Sequence, residues 1–496
     1  MKDFLAAAPL IVPLAGGVLL IATWGRVGLA RAVSVMASLA ASGLGFYSLY
    51  EVRQEGIFVT TLGDWPGPFG IVLVSDVLST LMVGVTGLMA AVSFLFTMAA
   101  HERWQERYIY PFMLLLLAGV NGAFITGDLF NLFVFFEVTL LSSYALMAIG
   151  ARRLQMEAAF KYVVINVISS VFLLVGVGLL YGQLGTLNMA HLAIRAETAG
   201  DSAMVTTVGV LLIVAFGIKA AIVPLHFWLP GAYSYIPWSV AAFFGAVLTK
   251  VGVYAMIRVF GLILDHDVDF FQPLLLSLAG VSMVVGGLGA VAQKEIRKVL
   301  TWDIVSQVGF MVMGLGLYSA GGMSAAIFFM AQYMPIKLAL FLTAGWVEKM
   351  RGTEEMKKLG GLARLYPLAS ALFLLPALSL AGVPPLSGFW GKFFLLQAGF
   401  EAEQYAVAAA AVGTSLVTLY VMIKMWGQVY WGEPREQIEA LPKSNLILLG
   451  PIVLAVLMGA ALIFGASWLH DITNEGAASI VDPREYIEAV DLAVTD

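Results

Sequence analysis

The 496-residue sequence contains no cysteine. That excludes disulfides, iron–sulfur clusters and thiolate metal sites. Charge is scarce too: Asp, Glu, Lys and Arg make up 12% of the chain against 60% apolar residues, and the mean hydropathy is +0.91. A soluble protein of this length could not cover its surface with so few charges, so the chain reads as a polytopic membrane protein. A nucleotide-binding loop is also missing. Gly286-Gly287-Leu288-Gly289 falls inside an apolar span rather than between a strand and a helix, and reads as helix packing. His101, His191, His266 and His470 fall in or near loops without metal-ligand spacing, so neither metal nor cofactor is expected. The net charge of −5 is spread over loops and gives no nucleic-acid signal. A chain with no means of capturing chemical energy must be driven by ion gradients or by partner subunits.

What the sequence has in abundance is long apolar runs. At about 20 residues per span, they give about fourteen transmembrane helices in an all-α fold. Their centres fall near Pro13, Leu39, Thr86, Leu115, Thr139, Leu173, Ile213, Thr249, Ser282, Val312, Pro335, Ala377, Thr414 and Leu454. The first run, Phe4 to Thr23, is a full span rather than a short signal core. Most of the 27 basic residues lie in loops after odd-numbered helices, among them Arg26, Arg152, Arg153, Arg297, Lys357 and Lys358. The other side holds only Lys2, Arg53, Arg195, Arg258 and Arg484. By the positive-inside rule both termini lie outside the cytoplasm, and the acidic tail after Trp468 faces the exterior.

Five basic residues remain, all within spans: Lys219, Lys250, Lys337, Lys392 and Lys424. None is arginine, the cation that cannot deprotonate. Ionisable groups in hydrocarbon are costly and mark ion or proton paths. Lys424 is also near enough to the cytoplasmic edge to snorkel there. Glu137 sits near the middle of the fifth span, in NLFVFFEVTLLSSYALM, where a carboxylate needs a cation or a proton. Lys219 is its natural partner if helices five and seven touch, and the pair reads as a switch on the lysine proton. Lys250, Lys337 and Lys392 continue the relay, helped by water and by hydroxyl side chains. Pro224 breaks helix seven beside Lys219, and Pro384 and Pro385 break helix twelve just before Lys392. His226 could gate proton access or cap a helix end. Asp303 belongs to the path or to the membrane edge near Arg297. Asp76 and Asp128, near span ends, read as interfacial. The bland reading of all these ions is structural pairing that only fixes helix packing.

A weak internal repeat is visible at an offset of 167 residues. It matches Ala158 with Ala325, Leu173 with Leu340, Gly185 with Gly352, Thr186 with Thr353 and Met189 with Met356. This relates helix six to helix eleven. An offset of five helices inverts the two halves in the membrane, a plan shared by many transporters with broken midplane helices.

The stretches NLFVFFEVTLLSSYAL, GIKAAIVPLHFWLP, VLTKVGVYAMIR and LSLAGVPPLSGFWGKF resemble the antiporter-like subunits shared by Mrp cation/proton antiporters, respiratory complex I and membrane-bound hydrogenases. The combination is most similar to the D-type subunit of Mrp assemblies. The resemblance runs from about the second span to Gly432. It implies two inverted five-helix units, helices four to eight and nine to thirteen, with broken helices seven and twelve. It implies a Glu137–Lys219 pair, a central Lys250 and a terminal Lys392. Many complex I relatives carry glutamate at that last position, so Lys392 favours the Mrp type. Two positions depart from the pattern: Gln332 stands where histidine is frequent, and Asp303 where histidine or serine is usual.

The organisation expected is residues 1–105 for helices one to three, 106–262 and 263–432 for two proton half-channels, and 433–496 for helix fourteen and the tail. The function expected is proton translocation within a multisubunit sodium/proton antiporter. The partners would be other membrane subunits, protons, sodium and lipid, in the cytoplasmic membrane of a bacterium. The alternatives are a component of a pump powered by quinone reduction or hydrogen evolution, a packing scaffold and a stand-alone metabolite carrier.

Overall fold

A computed structural model of the chain describes residues 2–65, 70–100, 103–199, 203–264, 267–433 and 447–495; His101 and His266 lie outside them. The chain opens with α1 (Lys2–Ala22) and α2 (Val27–Glu55), then an antiparallel hairpin of β1 (Phe58–Thr61) and β2 (Val72–Ser75). There follow α3 (Val77–Ala100), α4 (Arg103–Ile125), α5 (Leu129–Ala148), α6 (Arg153–Leu184), a short α7 (Met189–Ala199), α8 (Ala203–Ala220), a five-residue α9 (Trp228–Ala232) and α10 (Trp238–Arg258). The second half contains α11 (Val268–Ala292), α12 (Ile296–Gly316), α13 (Ala320–Arg351), α14 (Leu362–Leu365), α15 (Pro367–Ala381), α16 (Ser387–Glu401) and α17 (Tyr405–Val429). It closes with α18 (Leu449–Phe464), α19 (Ala466–Val481) and α20 (Arg484–Thr495). Helices dominate because in hydrocarbon every backbone N–H and C=O must be satisfied within its own segment.

Among the described residues, 12 helices are long and apolar enough to cross a membrane. The two other expected spans take different forms. The one centred on Ala377 is divided into α15 and α16, of 15 residues each. The one centred on Leu454 is α18, of 16 residues, which meets α19 at a bend of 81°.

The inverted repeat is visible in the backbone. α6 and α13 are both 32 residues long, start 167 residues apart, and end on left-handed glycines, Gly185 (φ 69°) and Gly352 (φ 67°). The antiparallel bridge Asp128–Asn188 recurs at the same offset as Glu295–Glu355. So do its flanking hydrogen bonds: Leu129 N to Leu187 O recurs as Ile296 N to Glu354 O, and Met189 N to Gly127 O as Met356 N to Lys294 O. The first bridge lies at the membrane face that carries α7, the hairpin and α20, which pack together. We call this the tail face. The second bridge lies at the opposite, basic face, with Lys294, Arg297, Lys357 and Lys358.

Equivalent helices do not share an environment. α13 is buried from Gly322 to Val347 and packs against α10, α12, α15, α16, α18 and α19, whereas much of α6 is exposed. α10 is buried along its whole length. The ionisable side chains therefore converge on an interior formed by α8, α10, α12, α13 and α16.

Candidate functional site: a buried axis of lysines

Lys219 occupies the last turn of α8 rather than the middle of an unbroken span. The helix stops at Ala220, Ala221 turns left-handed (φ 60°), and Ile222 N bonds back to Gly217 O at 2.9 Å. Pro224 lies in this turn, consistent with its missing N–H. The turn is tied down by Val223 N to Ser282 Oγ at 3.0 Å and by Trp228 Nε1 to Ile218 O at 2.9 Å. Gly252 of α10 presses on it: a Cβ there would lie 2.7 Å from Ala220 N and 3.0 Å from the Lys219 carbonyl carbon. Only glycine permits this approach of the two lysine helices.

Lys219 Nζ lies 4.7 Å from the centre of the Phe136 ring and has no hydrogen-bond partner among the described residues. Glu137, the next residue on α5, is half-buried, and its carboxylate accepts a short hydrogen bond from Ser170 on α6. The expected Glu137–Lys219 pair is therefore near but open in this structure, with a serine hydroxyl in place of the ammonium.

Lys250 and Lys337 share the ring of Tyr333, at 3.9 Å and 5.7 Å from its centre. Lys250 Nζ donates to Gly245 O (2.7 Å) and Thr249 Oγ1 (3.2 Å). Lys337 Nζ pairs with Asp303 Oδ2 at 2.6 Å, and Gln307 Nε2 donates to Asp303 Oδ1 at 3.0 Å. Asp303 thus belongs to the central cluster, not to the membrane edge. His226 follows the first break, its ring edge-on to Trp302 at 5.3 Å and its Nδ1 buried without a partner among the described residues.

Lys392 follows the second break. α15 ends at Gly382, which is left-handed (φ 88°), and α16 begins at Ser387, with Pro384 and Pro385 between them. The positive φ calls for glycine here, and a Cβ on Gly382 would meet Lys392 Cδ at 2.9 Å and displace the lysine chain. Lys392 Nζ donates to Ala381 O (3.3 Å) and lies 4.8 Å from the centre of Phe310. Phe310 stacks on Phe329, and Phe329 on Tyr333. An aromatic column therefore joins Lys392 to the ring shared by Lys250 and Lys337. Gln332 lies beside this corner, its amide nitrogen 3.3 Å from a Cβ built on Gly391. Lys424 is apart from the axis: its Nζ donates to Val291 O at 2.7 Å, at the basic end of α11.

One reading of a single residue changes. Arg258 is not a loop charge; its partner is Asp76, just before α3. Both are buried, joined by Arg258 Nη1 to Asp76 Oδ2 at 2.6 Å and Nη2 to Oδ1 at 2.7 Å. Arg258 Nε also donates to Tyr254 Oη (2.9 Å), and Tyr486 of α20 lies beneath the guanidinium. Burial raises the cost of charging Asp76, but Arg258 outweighs it and holds the carboxyl below the usual aspartate range. At the basic face, Arg297 is also buried. It pairs with Glu354 at 2.9 Å, stacks on Trp238 at 3.6 Å and donates to Ile236 O at 2.5 Å. Here burial wins, and the Glu354 carboxyl is pushed up despite Arg297.

The buried cations thus sort by type. Among the described residues, both buried arginines are in ion pairs near the two faces, while Lys337 alone of Lys219, Lys250, Lys337 and Lys392 has a carboxylate. Tyr333 and Gln307 carry no signal in isolation. Their spacing, four residues from Lys337 and Asp303 on the same helix faces, is the feature that could have found them. A cavity of about 630 Å³ opens at the basic face beside Trp238, Ser239, Arg297 and Glu348. Lys250 lies about three turns deeper along the same helix.

Unpaired lysines aligned through a bundle with two broken helices define an ion-translocating membrane protein. Residues 126–418 match the family described as "NADH:quinone oxidoreductase/Mrp antiporter, TM", and the chain belongs to that family. It is 42% identical to the D-type subunit of the Na(+)/H(+) antiporter of Alkalihalophilus pseudofirmus, over 98% of this chain and 99% of that one. Its fold matches a chain of the Mrp complex from Dietzia sp. DQ12-45-1b with a TM-score of 0.91, 32% identity and 99% of each chain covered. It also matches a chain of the membrane-bound sulfane sulfur reductase, an archaeal respiratory membrane complex, with a TM-score of 0.90, 28% identity and 99% of each chain covered.

Proposed function

We propose that this chain is the proton-translocating subunit of a multisubunit sodium/proton antiporter. In this reading protons travel along Glu137, Lys219, Lys250, Lys337 and Lys392. The observation that carries it is the lack of a carboxylate partner at Lys219, Lys250 and Lys392 among the described residues. A lysine kept only for packing would be paired, since a lone buried cation is strongly penalised. Buried atoms without partners among the described residues line the same axis, including Tyr233 Oη, Tyr333 Oη, Gln307 Oε1 and Gln332 Oε1, and such groups are where bridging water is held.

Glu137 acts as the switch. Bonded to Ser170 it leaves Lys219 free to give up its proton; turned toward Lys219 it holds that proton in place. Pro335, two residues before Lys337, frees the Ala331 carbonyl from the helix ladder and supplies one more acceptor. Residues 106–262 and 263–432 form the two half-channels, flanked by residues 1–105 and by residues 433–496. The cavity beside Trp238 is the aqueous approach from the cytoplasm. The basic face is cytoplasmic and the tail face external, which puts both termini outside a bacterial cytoplasmic membrane.

The likeness to a respiratory reductase chain keeps a redox-driven pump as the second reading. The higher identity to a chain named for antiport favours the first, and copurification of the subunits bound to this chain separates them. The decisive test is Glu137→Ala and Lys219→Ala in the assembled complex in inverted membrane vesicles. Sodium-driven proton exchange, followed with a pH-sensitive dye, is expected to vanish while assembly persists. Full activity in both variants would reduce these residues to packing.

A further inference from the structure

α19 leaves α18 at the 81° bend and lies along the tail face against α13 and α3. It places His470 over α16. The imidazole stacks on Phe394, with ring centres 4.0 Å apart and planes 14° from parallel. It also faces Phe328 of α13 at 6.4 Å, and Phe328 meets Phe394 edge-on at 5.2 Å. On its inner side Phe328 borders Gly391, whose added Cβ would lie 3.5 Å from Phe328 and 3.3 Å from the Gln332 amide. The two phenyl rings therefore separate His470 from the corner formed by Gln332, Gly391 and Lys392.

The histidine spans that boundary. Its ring is half-buried, yet Nδ1 is shut in without a hydrogen-bond partner among the described residues. Beside it Ser324 Oγ bonds Asn474 Oδ1 (2.6 Å) and lies 3.0 Å from Thr473 Oγ1, which makes a small polar patch between α13 and α19. The charged group acting on it is Asp471 on α19, and α13 brings Ser324 and Phe328 to the site. Stacking on Phe394 would serve as well with any flat apolar ring. A ring nitrogen buried without a partner adds a desolvation cost that packing does not require.

We propose that His470 is the terminal proton-exchange group at the tail face, held behind a hydrophobic gate of Phe328 and Phe394. The proposal rests on the proton-relay reading above and extends it by one residue. In the Nε2–H tautomer, Nδ1 accepts a proton that comes from Lys392 past the rings. The imidazolium then releases the Nε2 proton to water at the tail face. The ring left behind is the Nδ1–H tautomer; rotation about Cβ–Cγ turns Nδ1–H to water at the tail face, which takes that proton and returns one to Nε2, restoring the starting tautomer. One proton enters and one leaves. The paired rings keep bulk water from bridging the two sides, as a dewetting constriction does.

The test uses the whole complex in membrane vesicles with the tail face accessible. His470→Ala and His470→Gln are expected to assemble and to lower sodium-driven proton exchange at least tenfold. Imidazole should restore most of the His470→Ala activity. Pyrazole, of the same size but far less basic, should not. A double Phe328→Ala/Phe394→Ala variant should open a proton leak that needs no sodium. Full activity in both His470 variants, equal rescue by pyrazole, or failure of both to assemble would each overturn the assignment. An unchanged leak would overturn the gate. Lys219→Ala is the reference: if it stays active the relay reading fails, whereas an inactive Lys219→Ala beside an active His470→Ala removes His470 alone.

Discussion

Lys337 Nζ lies 2.6 Å from Asp303 Oδ2 with both side chains buried, while Lys250, which shares the Tyr333 ring with it, holds only a backbone carbonyl and a hydroxyl. The two lysines should therefore respond differently to removal. Lys337→Ala strands a buried carboxylate and is expected to cost about 3–5 kcal/mol, visible as a lower melting midpoint of the complex. Lys250→Ala strands no charge and should leave the midpoint within about 1 kcal/mol of the parent while abolishing proton exchange. A double Lys337→Met/Asp303→Leu variant should regain stability without regaining exchange.

Lys219 distinguishes charge from proton transfer. Lys219→Arg keeps a cation over Phe136 but cannot release a proton. Exchange should fall more than tenfold in dye-quenching assays with the complex intact. Near-normal exchange would mean that the position needs only a positive charge.

Tyr333 separates ring from hydroxyl. Tyr333→Phe preserves the surface under both lysines and should assemble normally with exchange several-fold slower. Tyr333→Leu also loses the cation–π contacts, worth about 0.5–2 kcal/mol each, and should be less stable than Tyr333→Phe in a thermal-shift comparison.

The two arginine pairs give opposite pH signs. Asp76 lies just before α3, and its carboxyl is held down by Arg258 against the effect of burial. Its contribution to stability is present above the ordinary aspartate value of about 4 and is lost only as pH falls through the lower, folded value. Asp76→Asn should therefore destabilise at neutral pH, by about 3–5 kcal/mol, because it strands Arg258. Glu354, in the loop after α13, is raised by burial, with Arg297 opposing. Its contribution is full below the ordinary glutamate value of about 4.3 and fades as pH rises through the raised one. Glu354→Gln mimics the protonated form that burial already favours and leaves Arg297 on Ile236 O and the Trp238 ring, so it should cost less stability at neutral pH than Asp76→Asn. Thermal melts of both variants at pH 5 and pH 7.5 check the two signs.

By itself the sequence determined the membrane class, the apolar segments, the breaks at Pro224 and at Pro384-Pro385, and the residues worth suspecting. Apolar run length, missing backbone donors and the cost of buried charge are all written locally in the chain. The weak identities at an offset of 167 also pointed to the repeat, which the matching bridges and helix ends carry through the backbone. Tertiary structure decided the partners. Asp303 and Lys337 stand 34 residues apart, and Asp76 and Arg258 182 apart. Only the packing of α3, α10, α12 and α13 brings those charges into contact. Packing also decided that Glu137 faces Ser170, that Arg258 is interior and that His470 stacks on Phe394. An ion's partner is set by which helix faces meet, and in a chain this uniformly apolar the residue pattern does not fix that.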